Sequence, residues 1–188
     1  MPAATTNKFT KKPDIENLTV FSDASFCSQS KAAGGAYWAK GEDTKASEAF
    51  PLIGAAQSHD SEVMAACEAI LRLDQNPDMH KMLERGPKTR VVLVVDCLTV
   101  KQVFEGANPP LCPAAKSLVD KVREMRQKMR FWIKVNHVKA HSGQGSPRKW
   151  VNSWCDRSAR AKMKAMRDGV ADTPAESTDT EELEVAGA

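Results

Sequence analysis

Residues 91–95, Val-Val-Leu-Val-Val, form an unbroken apolar run that stops at Asp96. Neither face of such a run is left polar, so it suits a strand buried on both sides, the environment of a central strand in a parallel sheet. A carboxylate placed directly after that strand stands at the edge of the core, where it must be hydrogen-bonded, paired or metal-bound. The run therefore asks for a sheet covered by helices, and for a partner that satisfies Asp96.

The rest of the chain supplies that architecture. Residues 18–23 alternate in the two-residue period of a strand and place Thr19, Phe21 and Asp23 on one face. Two further short runs, 33–39 and 46–52, follow too closely for intervening helices, so the three form an antiparallel meander. Over 58–73 the period becomes helical, with Val63, Met64, Cys67, Ile70 and Leu71 as the apolar stripe and Ser58 or Asp60 as N-cap. The charged, proline-containing stretch 74–89 reads as an irregular or partly helical connection. Beyond Asp96, residues 97–105 read as a short helix ended by Gly106 and Asn108-Pro109-Pro110, and 114–129 as an amphipathic helix. Residues 131–138 alternate like a half-exposed strand, and 148–167 form the last helix. Trp132, and Trp150 with Trp154 four residues apart on that helix, are assigned to packing in preference to base stacking. The order βββαβααβα describes an α/β fold, a five-stranded mixed sheet flanked by helices. Sites in such sheets form at the carboxyl ends of parallel strands near the point where the order reverses, which is the kind of position Asp96 takes.

Charge divides the chain. Residues 169–188 hold six acids and no Lys or Arg, so the other 18 acids face 27 bases and leave +9 on residues 1–168. A basic body suits a polyanionic partner through counterion release, although a well-charged soluble surface has the same composition. Three segments follow: a loose basic arm over 1–16, one domain over 17–168, and a disordered acidic tail over 169–188 that is a candidate for docking a protein partner or competing for the basic groove. The five cysteines, Cys27, Cys67, Cys97, Cys112 and Cys155, are odd in number and form no Cys-x-x-Cys pair, so they read as reduced, packed thiols. With no signal-peptide core and no apolar stretch of about 18 residues, a cytoplasmic protein outside the membrane is expected.

Four carboxylates stand at the edges of different elements: Asp23, Glu62, Asp96 and Asp156. Singly, Glu62 is an ordinary early-helix acid and Asp156 a salt-bridge partner for Arg160, four residues on. Jointly, convergent carboxylates with a nearby histidine, His141, indicate a divalent-metal site for phosphoryl chemistry.

Across 17–165 the motifs resemble the type 1 ribonuclease H family. Asp23-Ala24-Ser25 with Gly34-Gly35-Ala36 is similar to the family's Asp-Gly-Ser and Gly-Gly strands. Glu62-Val63-Met64-Ala65-Ala66 resembles its first-helix Glu, Val95-Asp96-Cys97 its strand-terminal Thr-Asp-Ser, and Val138-Lys139-Ala140-His141 with Asn152 through Ala159 its final motif. The resemblance implies an endonuclease that cleaves the RNA strand of RNA–DNA hybrids by a two-metal-ion mechanism, acting as a monomer on primers, R-loops or transcription-derived hybrids. Mg²⁺, or Mn²⁺, would be held with Asp23 bridging two ions, Asp96 and Glu62 on one side and Asp156 on the other, while His141 moves a proton. Ser25, Ser58, His59 and Asn152 are candidates for ribose or phosphate contacts, and Gly34 and Gly35 for close approach of a nucleic-acid backbone or, alternatively, a simple bulge.

The chain departs from the family at Ala24, at Cys97, and at Ser58-His59, where many members carry two Asn residues. The 96–141 segment is also too short for the basic helical handle of some members. Lys116, Lys121, Arg123, Arg126, Lys128 and Arg130 either take over that role or form a solvated face. The competing readings are a non-catalytic hybrid-binding module and a DNA-processing nuclease or recombinase of the same superfold.

Overall fold

The computed structural model describes residues 15–138 and 147–169, and these form one five-stranded sheet in the order β3-β2-β1-β4-β5. The meander is β1 (Glu16–Phe26), β2 (Ala33–Lys40) and β3 (Lys45–Pro51); β4 (Thr89–Val95) and β5 (Trp132–His137) complete the sheet. β1 pairs antiparallel with β2 and parallel with β4, so the strand direction reverses at β1. β5 runs parallel to β4 at the edge. The apolar run 91–95 is thus the central parallel strand it promised to be, with Val91, Leu93 and Val95 buried on one face and Val94 on the other.

The larger core lies where α1 (Ser58–Gln75), α3 (Leu98–Phe104) and α4 (Pro113–Met129) cover one face. Val63, Met64, Cys67 and Ile70 of the expected stripe are buried there, while Leu71 packs at its margin. α4 rests on α1 through Ala115, Leu118, Val119 and Val122, which leaves its five basic residues and the C-cap Arg130 exposed. α5 (Pro147–Arg167) covers the opposite face over β1, β2 and β3, burying Val151, Cys155 and Ala159 against Phe21, Ala36 and Val94.

The 74–89 connection is the partly helical one of the two alternatives: it holds a helix, α2 (Pro77–Glu84), absent from the expected element order, because Asn76 caps it by accepting from the Asp78 and Met79 N–H groups at 3.2 and 3.1 Å and Pro77 suits the first helical position. Other expectations are corrected. The N-cap of α1 is Gln57, one residue before Ser58; Asp60 serves the end differently, its Oδ2 accepting from the Gln57 N–H at 3.1 Å. Trp132 does not pack: it is 60% exposed at the start of the edge strand. Trp150 and Trp154 do pack, against the α5-side cluster. All five cysteines are free, with Cys67 and Cys155 buried, and no described helix is long and apolar enough to cross a membrane. Of the arm expected over 1–16, Glu16 instead opens β1 and residues 1–14 lie outside the described residues, as do the loop over 139–146 with His141 and all but Gly169 of the tail expected over 169–188.

Candidate metal centre

The parallel ends of β1 and β4 and the early turns of α1 converge on one acidic cluster. Asp23 lies on β1 two residues past Phe21, the last β1 residue paired with β4, so it projects from the split between β1 and β4. Asp96 follows the last residue of β4, and Glu62 stands at the fifth helical position of α1. One carboxylate oxygen from each of these three side chains lies within 4.8 Å of the others. Asp23 and Glu62 are half-buried and Asp96 is exposed, so the cluster has a dry floor and an open side.

The electrostatics follow from that placement. Burial, then the Asp96 charge and more weakly Asp156, push the Asp23 carboxyl up to about 7 against the Ala24 N–H that donates to its Oδ1 at 2.8 Å and the lowering influence of Arg160. Burial, then the charges of Asp23 and Asp96, hold Glu62 well above the usual carboxylate range. Two half-buried carboxyls held up by the acids beside them mark a site short of positive charge, and an all-oxygen donor set suits a hard divalent cation. The residues present therefore fit the metal that their arrangement implies.

Asp156 stands on α5 beyond the three. Arg160 Nη2 donates to both of its oxygens, at 2.9 and 3.2 Å, yet its charge still bears on Asp23 and Glu62. Both readings of this acid thus coexist: it is an i,i+4 ion-pair partner and a neighbour of the cluster.

The other candidate residues are distributed as follows. Ser25 is half-buried on β1, two residues beyond Asp23 and paired with Gly34. Ser58 is exposed at the start of α1, its carbonyl accepting from Ser61 Oγ at 2.6 Å. His59 is half-buried, with Nε2 3.3 Å from the Pro110 carbonyl oxygen, and Asn152 is exposed on α5 one turn before Asp156. Gly34 and Gly35 are closed to nucleic acid by the protein itself. A Cβ on Gly34 would meet the Ala159 carbonyl oxygen of α5 at 2.4 Å, and one on Gly35 would meet the Phe50 ring at 2.6 Å. The glycines are also not a bulge, because the β1–β2 register runs through them without a break.

Two residues that matter here were not singled out as site residues. His137 Nε2 lies 2.9 Å from the Asp96 carbonyl oxygen, a contact hidden in a strand whose alternation gave no sign of it. Asp60, buried, uses Oδ1 to accept from the Cys112 N–H at 2.9 Å, joining the start of α1 to the start of α4. Its proximity to Glu62 in sequence signals an acid, but only the fold shows that it serves backbone rather than metal.

The RNase H family model matches residues 15–164. Among solved structures, the chain is similar to the N-terminal RNase H domain of Rv2228c from Mycobacterium tuberculosis, at 16% identity and a TM-score of 0.56, over 83% of this chain and 99% of that one. It is similar to RNase H1 from the halophilic archaeon Halobacterium salinarum, at 13% identity and a TM-score of 0.54, over 79% and 98% of the two chains. LC11-RNase H1, solved in complex with an RNA/DNA hybrid, matches at 12% identity and a TM-score of 0.57, also over 79% and 98%. No curated protein matches the chain.

Proposed function

The chain belongs to the RNase H family, and from that premise we propose that it is an endonuclease hydrolysing the RNA strand of RNA–DNA hybrids with divalent metal. The observation that carries this reading is the convergence of Asp23, Glu62 and Asp96 within 4.8 Å at the carboxyl ends of two parallel strands. Mg²⁺, or Mn²⁺ in its place, two ions with substrate bound, would supply Lewis-acid polarisation of the scissile phosphate and a water of lowered pKa.

The chain's own residues do the rest. Asp23, Asp96 and Glu62 come from two strand ends and a helix, elements held by the main core, so the carboxylates are positioned before substrate arrives. Asp156 offers a fourth carboxylate from α5 when Arg160 releases it. His141 is assigned the proton transfer, since an imidazole changes charge near neutral pH and can take or return a proton as water attacks or product leaves. Ser25, Ser58, His59 and Asn152 are the proposed contacts to ribose and phosphate, where a 2′-hydroxyl distinguishes RNA from DNA.

The test is incubation of end-labelled RNA–DNA hybrid, double-stranded RNA, double-stranded DNA and single strands with the protein and with Asp96→Asn, with and without Mg²⁺ or Mn²⁺. Metal-dependent cleavage confined to the hybrid's RNA strand, and lost in Asp96→Asn, is the expected result. Binding without cleavage would make the protein a hybrid-binding module, and cleavage of duplex DNA would move it to the recombinase side of the superfold.

A further inference from the structure

The face of the sheet that carries α5 is covered unevenly. α5 lies over β1, β2 and β3, and its cluster gathers Trp38, Trp150 and Trp154 at its margin. β5 is the edge strand beyond that cover. Ile133 and Val135 pack into the main core on the opposite face, so the alternation turns Trp132, Lys134 and Asn136 toward the α5 side. The fourth tryptophan of the chain is therefore on the same face as the other three, but open, at 60% exposure.

Its surroundings are cationic. Arg90 is the register partner of Trp132, and its Nε donates to Asn17 Oδ1 on β1 at 2.9 Å, which holds the guanidinium across the sheet. Lys134 follows on β5 and is exposed. The β1 residues on this face before Asp23 are Asn17, Thr19 and Phe21, so no carboxylate of the three strands stands beside Trp132, Arg90 or Lys134. The strip runs along β5 to Asn136, beside Val94, ~13 Å from Trp132 at the rise of an extended strand, and the level of Asp96 lies two residues further on, ~20 Å from Trp132.

An open aromatic ring with a basic residue beside it on β4 and another two residues on along β5, on a stretch of sheet face without acids, is complementary to a polyanion that offers bare base faces. A duplex keeps its bases stacked inside; a single strand does not. We propose that the exposed β4–β5 face is an accessory site for single-stranded nucleic acid, with Trp132 stacking on a base and Arg90 and Lys134 contacting phosphates. An overhang leaving the acidic cluster would run along β5 to reach it. Only that direction of travel rests on the hydrolase reading; binding of a free strand does not.

The experiment uses the full chain in EDTA, so that nothing is cleaved, with three fluorescent probes: single-stranded DNA of about 12 nucleotides, a blunt RNA–DNA hybrid, and the same hybrid with a single-stranded overhang. Trp132→Ala is expected to weaken the single strand about tenfold and to remove the extra affinity of the overhang, leaving the blunt hybrid unchanged. Lys134→Glu should weaken the single strand and flatten its salt dependence. Circular dichroism checks that both surface variants are folded. Unchanged single-strand affinity in both variants overturns the proposal. So does a result in which deleting residues 170–188 changes Trp132 emission, read as the difference from Trp132→Phe, while Trp132→Ala leaves strand affinity as it was; the face would then belong to the acidic tail. Because no divalent ion is present, failure of RNA-strand hydrolysis would leave this result intact.

Discussion

His137 and Asp96 are joined across the ends of β5 and β4: the imidazole Nε2 lies 2.9 Å from the Asp96 carbonyl oxygen. A carbonyl only accepts, so Nε2 carries the proton and donates. The register pairs Val95 with His137, and the Val138 N–H donates to the Val95 carbonyl at 2.9 Å. A side chain thus extends the β4–β5 ladder one residue further, to the residue whose carboxylate joins the cluster. His137 is a positioning residue by this geometry, because it holds the backbone from which Asp96 projects.

His137→Phe keeps a ring of similar size but removes the donor, and should weaken Mn²⁺ binding about tenfold, the low end of what supporting hydrogen bonds contribute at metal sites. His137→Gln, which retains an N–H donor, should recover most of the loss. Titration calorimetry with Mn²⁺ reads both; equal affinity in wild type and His137→Phe would show that the bond satisfies a carbonyl and nothing more.

The raised carboxyls make a metal-free protein less stable as pH rises. Asp23 binds its proton more tightly folded, up to about 7, than unfolded, near 3.9. Between those values the native state holds more protons, so stability falls from about pH 4 to about pH 7 and stays lower above. Glu62, also raised, acts in the same direction. In EDTA, Asp23→Asn should therefore match wild type in melting temperature near pH 4 and exceed it near pH 8, and saturating Mn²⁺ should raise wild type most at the higher pH. A wild-type-to-variant difference that does not grow with pH would sink this account.

How much of this was readable in advance depended on whether a residue's partner is local. Asp96 announced itself because the apolar run before it forces a buried central strand, and Asp23 because alternation places it on a strand edge. Glu62 and His141 needed the family resemblance, since an early-helix acid and a lone histidine have ordinary explanations. The roles of Gly34, Asp60 and His137 lie in partners 125, 52 and 41 residues away, which no short-range pattern encodes. Trp132 was misread for a related reason: an aromatic at the start of an alternating strand looks like core, and only the span of α5 shows that nothing described covers it. The charge density over 74–89 left α2 legible only as one of two alternatives, an irregular or a partly helical connection, although Asn76-Pro77 is a helix start in its own right.

Asp60 is a structural acid two residues from Glu62 of the candidate metal cluster. Its two oxygens accept from the Gln57 and Cys112 N–H groups, and it is buried. Asp60→Ala leaves both donors without that acceptor and should cost about 2–4 kcal/mol in urea unfolding. Asp60→Asn, which keeps one acceptor oxygen, should cost less and leave Mn²⁺ affinity near wild type. A large loss of metal affinity in folded Asp60→Asn would instead place this acid in the metal centre.

Gly34 ties the sheet to the helix that carries Asp156. A methyl group there would sit 2.4 Å from the Ala159 carbonyl oxygen and 2.5 Å from the Met163 nitrogen, both backbone atoms, so α5 would have to lift. Gly34→Ala should cost about 3 kcal/mol, and more than Gly35→Ala, whose nearest obstruction is the Phe50 side chain. Urea midpoints of the two variants rank them; the reverse order would mean that α5 is more easily displaced than the Phe50 ring.

The Asp156–Arg160 pair is a weak lock beside the cluster. Both side chains are about half exposed, at 46% and 58%, and exposed i,i+4 pairs are worth only about 0.3–0.5 kcal/mol. A dication that gains Asp156 as a further oxygen ligand can therefore draw it away from Arg160 at small cost. Arg160 also opposes the rise of the Asp23 pKa, so its charge occupies part of the electrostatic role a metal would fill. Removing it should leave stability within about 0.5 kcal/mol and strengthen Mn²⁺ binding roughly threefold at low ionic strength, with the gain shrinking as salt screens the exposed guanidinium. Arg160→Gln measured by calorimetry at two salt concentrations decides the matter. Tighter binding identifies Arg160 as a competitor for the acids, whereas weaker binding would mean that it holds Asp156 in the orientation the metal needs.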